Sequence, residues 1–282
     1  MGHQKNHETE QQKFLNGLAR GLAGALLFAL PMFMTMEMWE LGLYANPGRL
    51  LLLCLLNLPL LFGLAWRIGF EKTSSFKQAA RDAVIAYGLG ITVSAGVLWL
   101  LAILDTKLMP SHNIAMIAFQ SVPASIGALL GRSQLGMHSE KKDEERGDYD
   151  GETGYFNELF MMVVGALFLS LNVAPTEETI LMAYKITPFH TLIIAALSIV
   201  MMHGFVYSVH FKGGHQLMEG SPRWHAFIRF TMPGYVLALV SSAYVLWTFE
   251  RLDNISLSQM VTAIVVLSLP GALGAASARL IL

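Results

Sequence analysis

Eight long apolar runs are the feature that most constrains how this chain can fold. They cover residues 18–44, 49–66, 83–104, 112–131, 157–184, 188–209, 227–248 and 258–281. A helix needs about 20 apolar residues to cross the hydrocarbon core of a bilayer. Within that core, only helices and closed barrels satisfy all of their backbone hydrogen bonds. The runs therefore predict an all-α polytopic membrane protein with eight transmembrane helices.

Composition supports this fold class and excludes several functions. The 282 residues are 54% hydrophobic and only 14% charged, with a mean hydropathy of +0.50, which is unusual for a soluble domain. There is no basic patch interleaved with aromatic residues, so we expect no nucleic-acid partner. The single cysteine, Cys54, lies in an apolar run, so the chain has no disulfide framework and no thiolate metal site. We expect no cofactor.

A charged segment divides the chain into two halves of four spans each. Residues 133–155 are dense in charge and poor in apolar side chains, which is typical of a solvated linker. We therefore predict a first four-helix repeat with its N-terminal tail in 1–132, a cytoplasmic linker in 133–155, and a second four-helix repeat in 156–282.

The distribution of basic residues predicts the orientation of the chain. If the N-terminus is cytoplasmic, the inner loops and tails contain 15 of the 19 Lys and Arg residues and the outer loops contain four. Cytoplasmic loops of membrane proteins carry such an excess. We therefore expect both termini in the cytoplasm, which agrees with an even number of spans.

The two halves align with each other at an offset of 141 residues. The aligned pairs include Gly24 with Gly165, Thr35 with Thr176, Glu37 with Glu178, and Pro47 with Pro188. Their common order along both halves indicates a duplication. Because each copy has four spans, both should enter the membrane from the same side, as parallel repeats related by an axis along the membrane normal.

Acidic residues in the first span of each half are the candidate functional site. A carboxylate in hydrocarbon costs from about 3 to more than 10 kcal/mol, so intramembrane acids usually face a bundle interior or a water-filled path. Glu37 and Glu178 lie about ten residues, or about 15 Å of regular helix, before Pro47 and Pro188. This spacing predicts a position near mid-depth, with Phe33, Glu37, Glu40 and Tyr44 on one stripe of a continuous helix.

These acids predict a cation or proton pathway. We expect it to be lined by Glu37, Glu178, Glu177, Glu40, Thr35 and Thr176, with Lys185, His203 and Tyr44 in supporting positions. The protein would then be a proton-coupled carrier or a pH-sensitive channel. Its partners would be an inorganic cation or a proton and the lipid bilayer. The alternative is a membrane scaffold in which protonated glutamates only hold the repeats together.

Small-residue faces leave the oligomeric state open. Gly17 and Gly21, and likewise Gly127 and Gly131, are spaced by four residues. This spacing allows helices to pack closely, either within one chain or between two copies in a homo-oligomer.

One enzymatic alternative is carried by Glu177, Glu178 and His203. This arrangement resembles the glutamate-dependent membrane proteases of the CAAX-processing and bacteriocin-immunity type. That resemblance would imply a metalloprotease. The family pattern has an Arg four residues after the second Glu, where this chain has Met182, and a Phe four before the His, where it has Ile199. A further His motif of the family is missing, so the transport hypothesis is preferred.

The paired segments LPMFMTMEMWELG and APTEETI resemble an eight-span bacterial integral membrane family defined as a domain of unknown function. The resemblance extends over nearly the whole chain. It implies a multi-pass protein of the bacterial inner membrane and implies no activity.

Overall fold

The structure, a computed structural model, describes residues 10–68, 75–104, 109–135, 151–209 and 227–281. The described segments are helical, joined by short turns. The helices are α1 (Glu10–Phe33), α2 (Met36–Tyr44), α3 (Pro47–Ile68), α4 (Phe76–Leu100), α5 (Pro110–Leu135), α6 (Gly151–Val173), α7 (Glu177–Lys185), α8 (Pro188–Val209), α9 (Met232–Thr248) and α10 (Leu257–Ile281). A π-helical turn, Phe227–Thr231, leads directly into α9.

Eight of these helices are long and apolar enough to cross a membrane. They are all the helices except α2 and α7, which have nine residues each. The predicted all-α fold with eight membrane spans is therefore confirmed. The parallel arrangement of the repeats and the cytoplasmic termini stay predictions.

Two predicted spans are not continuous helices, and this part of the prediction was wrong. The runs 18–44 and 157–184 each break into a long helix followed by a short one. At the breaks, Thr35 and Thr176 adopt extended backbone conformations, with ψ of 117° and 145°. Pro175 lies in the second break, where its missing N–H cannot continue α6. Apolar composition alone could not reveal these breaks, because the short helices are themselves largely apolar.

The first of two compact units comprises residues 1–34 and 51–143. In it, α1 and α4 both pack against α5, which is the most buried span of the unit. The α1–α5 crossing has no room for side chains, since a Cβ added to Gly24 would lie 2.6 Å from the Cα of Gly131. The predicted small-residue face of Gly127 and Gly131 is thus used within the chain.

The second unit comprises residues 35–50 and 144–282. Here α6, α8 and α9 pack around α10, and α7 also contacts it. The α6–α10 crossing again has no room for a side chain, because a Cβ on Gly165 would lie 2.7 Å from the Cβ of Ala278. Each unit therefore contains a glycine crossing between its first and last long helices.

Residues 35–50 group with the second unit, although they belong to the first half of the sequence. Helix α6 begins at Gly151, so the last residues of the segment 133–155 are helical. Residues 136–150 lie outside the described part of the chain. The repeat boundaries at 132 and 156 stay a prediction.

Lipid-facing surface is most evident on α3. Its exposed leucines are Leu51, Leu52, Leu55, Leu56 and Leu58. A row of exposed leucines is unfavourable in water and favourable against lipid. The exposure of these side chains therefore fits a helix at the lipid boundary.

Helices α4 and α9 end in the same way. Ala102 follows α4 with φ of 57°, and Glu250 follows α9 with φ of 60°. In each case the left-handed residue donates its N–H to a tryptophan carbonyl three residues earlier, Trp99 or Trp247. Glu250 is therefore held in a conformation that is costly for any residue with a Cβ.

Candidate functional site

Thr35 and Thr176 lie immediately before α2 and α7. In each half a glutamate follows the threonine by two residues, which places acids in the first turn of each helix. Glu37 lies in the first turn of α2, and Glu177 and Glu178 lie in the first turn of α7. Carboxylates are favourable there because the N-terminal end of a helix carries partial positive charge. The Thr-x-Glu element shared by the two halves therefore marks a helix start.

The position of the glutamates near mid-depth stays a prediction. The estimate of about 15 Å runs from the glutamates forward to Pro47 and Pro188, and α2 and α7 are helical over most of that distance, because the breaks precede the glutamates. Phe33 belongs to α1 and lies outside α2, so the predicted four-residue stripe is interrupted. Glu37, Glu40 and Tyr44 still share α2. All six residues that would line the pathway lie outside the eight candidate spans.

Exposure separates the site residues. Glu37, Thr35, Thr176 and His203 are half-buried, while Glu40, Glu177, Glu178 and Lys185 are exposed. Thr176 donates its hydroxyl to the Val173 carbonyl at 3.0 Å, which ties it to the end of α6.

Three acids from separate segments converge on Tyr44. Burial raises the pKa of the Tyr44 phenol, the Arg251 guanidinium lowers it, and the carboxylates of Glu40, Glu177 and Glu250 raise it. We call Glu40, Tyr44, Glu177, Glu250 and Arg251 the Tyr44 patch. It includes Glu40 and Glu177, two of the residues predicted to line the pathway.

The α2–α3 turn is clamped to the loop after α9. Arg49 binds Asp253 through its two terminal guanidinium nitrogens, with N–O distances of 3.0 and 3.1 Å. It also donates to the Trp247 carbonyl at 2.7 Å and lies over the Trp247 ring. The backbone N–H of Asn46 donates to Glu250 at 2.7 Å. These contacts hold α2, from the first half of the sequence, within the second unit.

Arg251 ties the break before α7 to the same loop. Its guanidinium donates to the Pro175 carbonyl, a group that the end of α6 leaves without an intrahelical donor. Arg251 thereby positions the start of α7, where Glu177 lies.

Acids outnumber bases around the patch. Residues 35–50, 174–187 and 249–256 contain six acids and three bases. The acids are Glu37, Glu40, Glu177, Glu178, Glu250 and Asp253, and the bases are Arg49, Lys185 and Arg251. An excess of carboxylates raises the local concentration of cations.

His203 contacts the π-helical turn that precedes α9. Its Nδ1 lies 3.0 Å from the Thr231 hydroxyl, and its ring packs edge-on against Phe227. Within the described ranges, no group of three or more His, Cys, Asp or Glu side chains could hold a metal ion. The structure therefore does not assemble Glu177, Glu178 and His203 into a metal site.

The first unit contains buried polar residues that the sequence interpretation passed over. Asn57 is 3% exposed, and Asp82 and Gln120 are fully buried. Asp82 pairs with the neighbouring Arg81 at 3.3 Å. Both amide atoms of Gln120 lack a partner among the described residues. Asn57 and Gln120 each interrupt an apolar run and Asp82 directly precedes one, and that was the signal that could have identified them.

The eight spans and the buried helix crossings define a polytopic integral membrane protein. The family model of the integral membrane proteins DUF2391 matches residues 17–282. The chain belongs to this family, as the resemblance of its paired acidic segments predicted. No curated protein and no solved structure matches the chain.

Proposed function

We propose that this protein moves cations across the membrane and that the Tyr44 patch is the outer mouth of the path. One observation carries the proposal: the loop after α9 is bonded both to the α2–α3 turn, through Asn46 and Glu250, and to the break before α7, through Arg251 and Pro175. These contacts gather Glu40, Glu177 and Glu250, from three segments, around Tyr44. Like charges repel, so gathering them without an equal number of bases destabilises the fold unless a cation is drawn in.

Chain topology supports the location of this mouth. The α2–α3 turn and the loop after α9 are both outer segments in the predicted orientation, and Arg49 bonded to Asp253 joins them. Two segments predicted to lie on one side of the membrane are therefore in contact, as the proposed mouth requires.

The remaining acids would take the cation next. Glu37 is half-buried, and Glu178 occupies the matching position of α7. With Thr35 and Thr176 beside them, they offer the oxygen ligands that hard cations prefer. A proton-coupled carrier and a pH-sensitive channel would both use such a series. Neither requires a catalytic residue or a cofactor.

Charge neutralisation at two salt concentrations tests the proposal. The double variant Glu40→Gln with Glu177→Gln, in liposomes, should pass cations several-fold more slowly than wild type at low ionic strength. The difference should vanish in concentrated salt, because the Debye length falls from about 30 Å at 0.01 M to about 3 Å at 1 M.

Glu158→Gln is the matched control. Glu158 lies 15 residues before the end of α6 at Val173, which is about 22 Å along the helix. The proposal predicts wild-type flux for this variant. If instead the double variant lost thermal stability but kept its flux per folded molecule, the acids would serve only to start their helices, and the proposal would be wrong.

A further inference from the structure

A polar cluster lies inside the first unit, which contains none of the residues of the Tyr44 patch. Asn57 donates its Nδ2 to the Ser125 hydroxyl at 3.0 Å. The Tyr87 hydroxyl is hydrogen-bonded to Cys54 and to Ser121. Asn57, Ser121 and Ser125 are almost completely buried. We call Cys54, Asn57, Tyr87, Ser121 and Ser125 the Asn57 cluster.

The cluster lies at the middle of its three spans. Asn57 is ten residues from either end of the span Pro47–Arg67. Ser121 is 11 residues after the start and ten before the end of Pro110–Gly131, and Tyr87 is 11 residues into Phe76–Leu100. In membrane transporters, substrate and ion sites lie near the bilayer midplane. The sequence had assigned this depth to Glu37 and Glu178.

Helix α4 approaches the cluster closely because it has a glycine there. A Cβ added to Gly90 would lie 2.6 Å from the Ser121 carbonyl oxygen and 2.8 Å from the Ser125 backbone nitrogen. The missing side chain lets α4 pack directly on the serine-bearing face of α5.

Donors and acceptors in the cluster do not balance. Ser125 donates its proton to the Val122 carbonyl at 2.7 Å, and Ser121 donates to Ala118 at 2.8 Å. Toward the rest of the cluster, each of these two hydroxyls can therefore act only as a hydrogen-bond acceptor. Since Ser125 can only accept, the Asn57 amide must turn its Nδ2 toward it. The Oδ1 of Asn57 is buried and has no partner among the described residues.

This surplus of oxygen acceptors suits a cation and repels an anion. The oxygens are neutral, because the cluster contains no carboxylate. Neutral ligands in low dielectric cannot offset the larger cost of desolvating a divalent ion. The chemistry therefore favours a dehydrated alkali cation.

We propose that Asn57, Ser121 and Ser125 bind one sodium or potassium ion midway across the first unit. This inference rests on the proposed function for its role, since the bound ion would be the one transported. The binding itself can be measured without any transport.

The second half of the chain lacks the same set of ligands. At the repeat offset Asn57 corresponds to Ser198, which donates to the Ile194 carbonyl of its own helix. The ends of the two halves align at a slightly larger offset, with SVPASIGALLGR from Ser121 over SLPGALGAASAR from Ser268. There Tyr235 and Ser268 keep the tyrosine–serine contact at 3.3 Å, but Ala272 stands in place of Ser125. One ion per chain is expected, and Ser198→Ala is a matched control.

Equilibrium binding of radioactive sodium, with potassium as competitor, tests the inference on purified protein in detergent. Wild type and Ser198→Ala should bind one alkali cation per chain. Asn57→Ala should bind about tenfold more weakly or worse, because it removes a charge-assisted ligand. Asn57→Asp keeps the shape of the side chain and adds a negative charge, so it should bind the cation more tightly. Because tighter binding requires folded protein, this variant keeps the test decisive even if Asn57→Ala fails to fold.

The outcomes separate this inference from the proposed function. If neither cation binds wild type saturably, or if Asn57→Asp and Asn57→Ala both bind as wild type does, the cluster is not an ion site. That result would stand even if the liposomes transported cations. Binding with no transport in liposomes would support the site and count against the proposed function.

Discussion

Single residues decide where the two short helices begin. The sequence pairs Thr35 with Thr176 and Glu37 with Glu178, and in the structure each pair occupies the same position at a helix start. Sequence could not predict that start, because a Thr-x-Glu element inside an apolar run fits a continuous membrane helix equally well. The extended backbone at the threonines, which depends on tertiary contacts, is the deciding feature.

The left-handed residue after α4 offers a test of local strain. Ala102→Gly should stabilise the protein by about 1 kcal/mol, because glycine adopts positive φ without the steric cost of a Cβ. Ala115→Gly, within α5, should destabilise it by about 0.5–1 kcal/mol, since glycine is unfavourable in a helix. Thermal unfolding in detergent measures both. Equal effects of the same sign would show that Ala102 carries no strain.

The clamp at Arg49 can be measured by a double-mutant cycle. Arg49 and Asp253 retain 19% and 38% side-chain exposure, so solvent screening limits their coupling to about 0.5–1 kcal/mol. Arg49→Ala, Asp253→Ala and the double variant should show this coupling in unfolding experiments, while Lys77→Ala should not couple to Asp253→Ala. Strict additivity of the Arg49 and Asp253 effects would contradict a clamp.

The long helices can be predicted from the sequence because their apolar runs are long enough to cross a membrane. Features that depend on packing between helices cannot be predicted in this way. The eight spans follow from hydropathy, because a membrane helix must be long and apolar. The helix breaks at 34–35 and 174–176 do not follow from hydropathy, because the short helices after them are largely apolar, like the spans before them. The Asn57 cluster also required the structure, because only packing shows that polar residues from α3, α4 and α5 meet at one depth.

Glycine crossings should dominate the stability of both units. Gly24→Ala and Gly165→Ala each place a methyl group against backbone, so each should cost about 1–3 kcal/mol. Gly96→Ala and Gly204→Ala meet no atom within 4 Å, and should be neutral or slightly stabilising, as alanine favours helix. Unfolding temperatures in one detergent compare all four. Similar effects at Gly24 and Gly96 would contradict close contact at the α1–α5 crossing.

The chain as a whole combines two units whose long helices occur in the same order. A span, a short acidic helix and three further spans follow one another in each half. This shared order supports the predicted duplication. The orientation in the membrane follows only from the distribution of basic residues, and it decides which side the Tyr44 patch faces.

Labelling of single cysteines tests that orientation. With Cys54 replaced by alanine, Glu145→Cys should react with an impermeant thiol reagent only from the cytoplasmic side, and Lys107→Cys only from the outer side. The basis is the 15-to-4 excess of basic residues on the predicted inner side. The reverse pattern of labelling would invert the topology.

Cation flux through wild-type protein in liposomes tests the central claim most directly. Vesicles containing the protein, loaded with a pH-sensitive or cation-sensitive dye and given a cation gradient, should show flux well above that of protein-free vesicles. The Glu40→Gln, Glu177→Gln variant should reduce this flux at low salt. Wild-type vesicles that move neither protons nor alkali or alkaline-earth cations faster than empty ones, with the protein folded and inserted, would contradict the account.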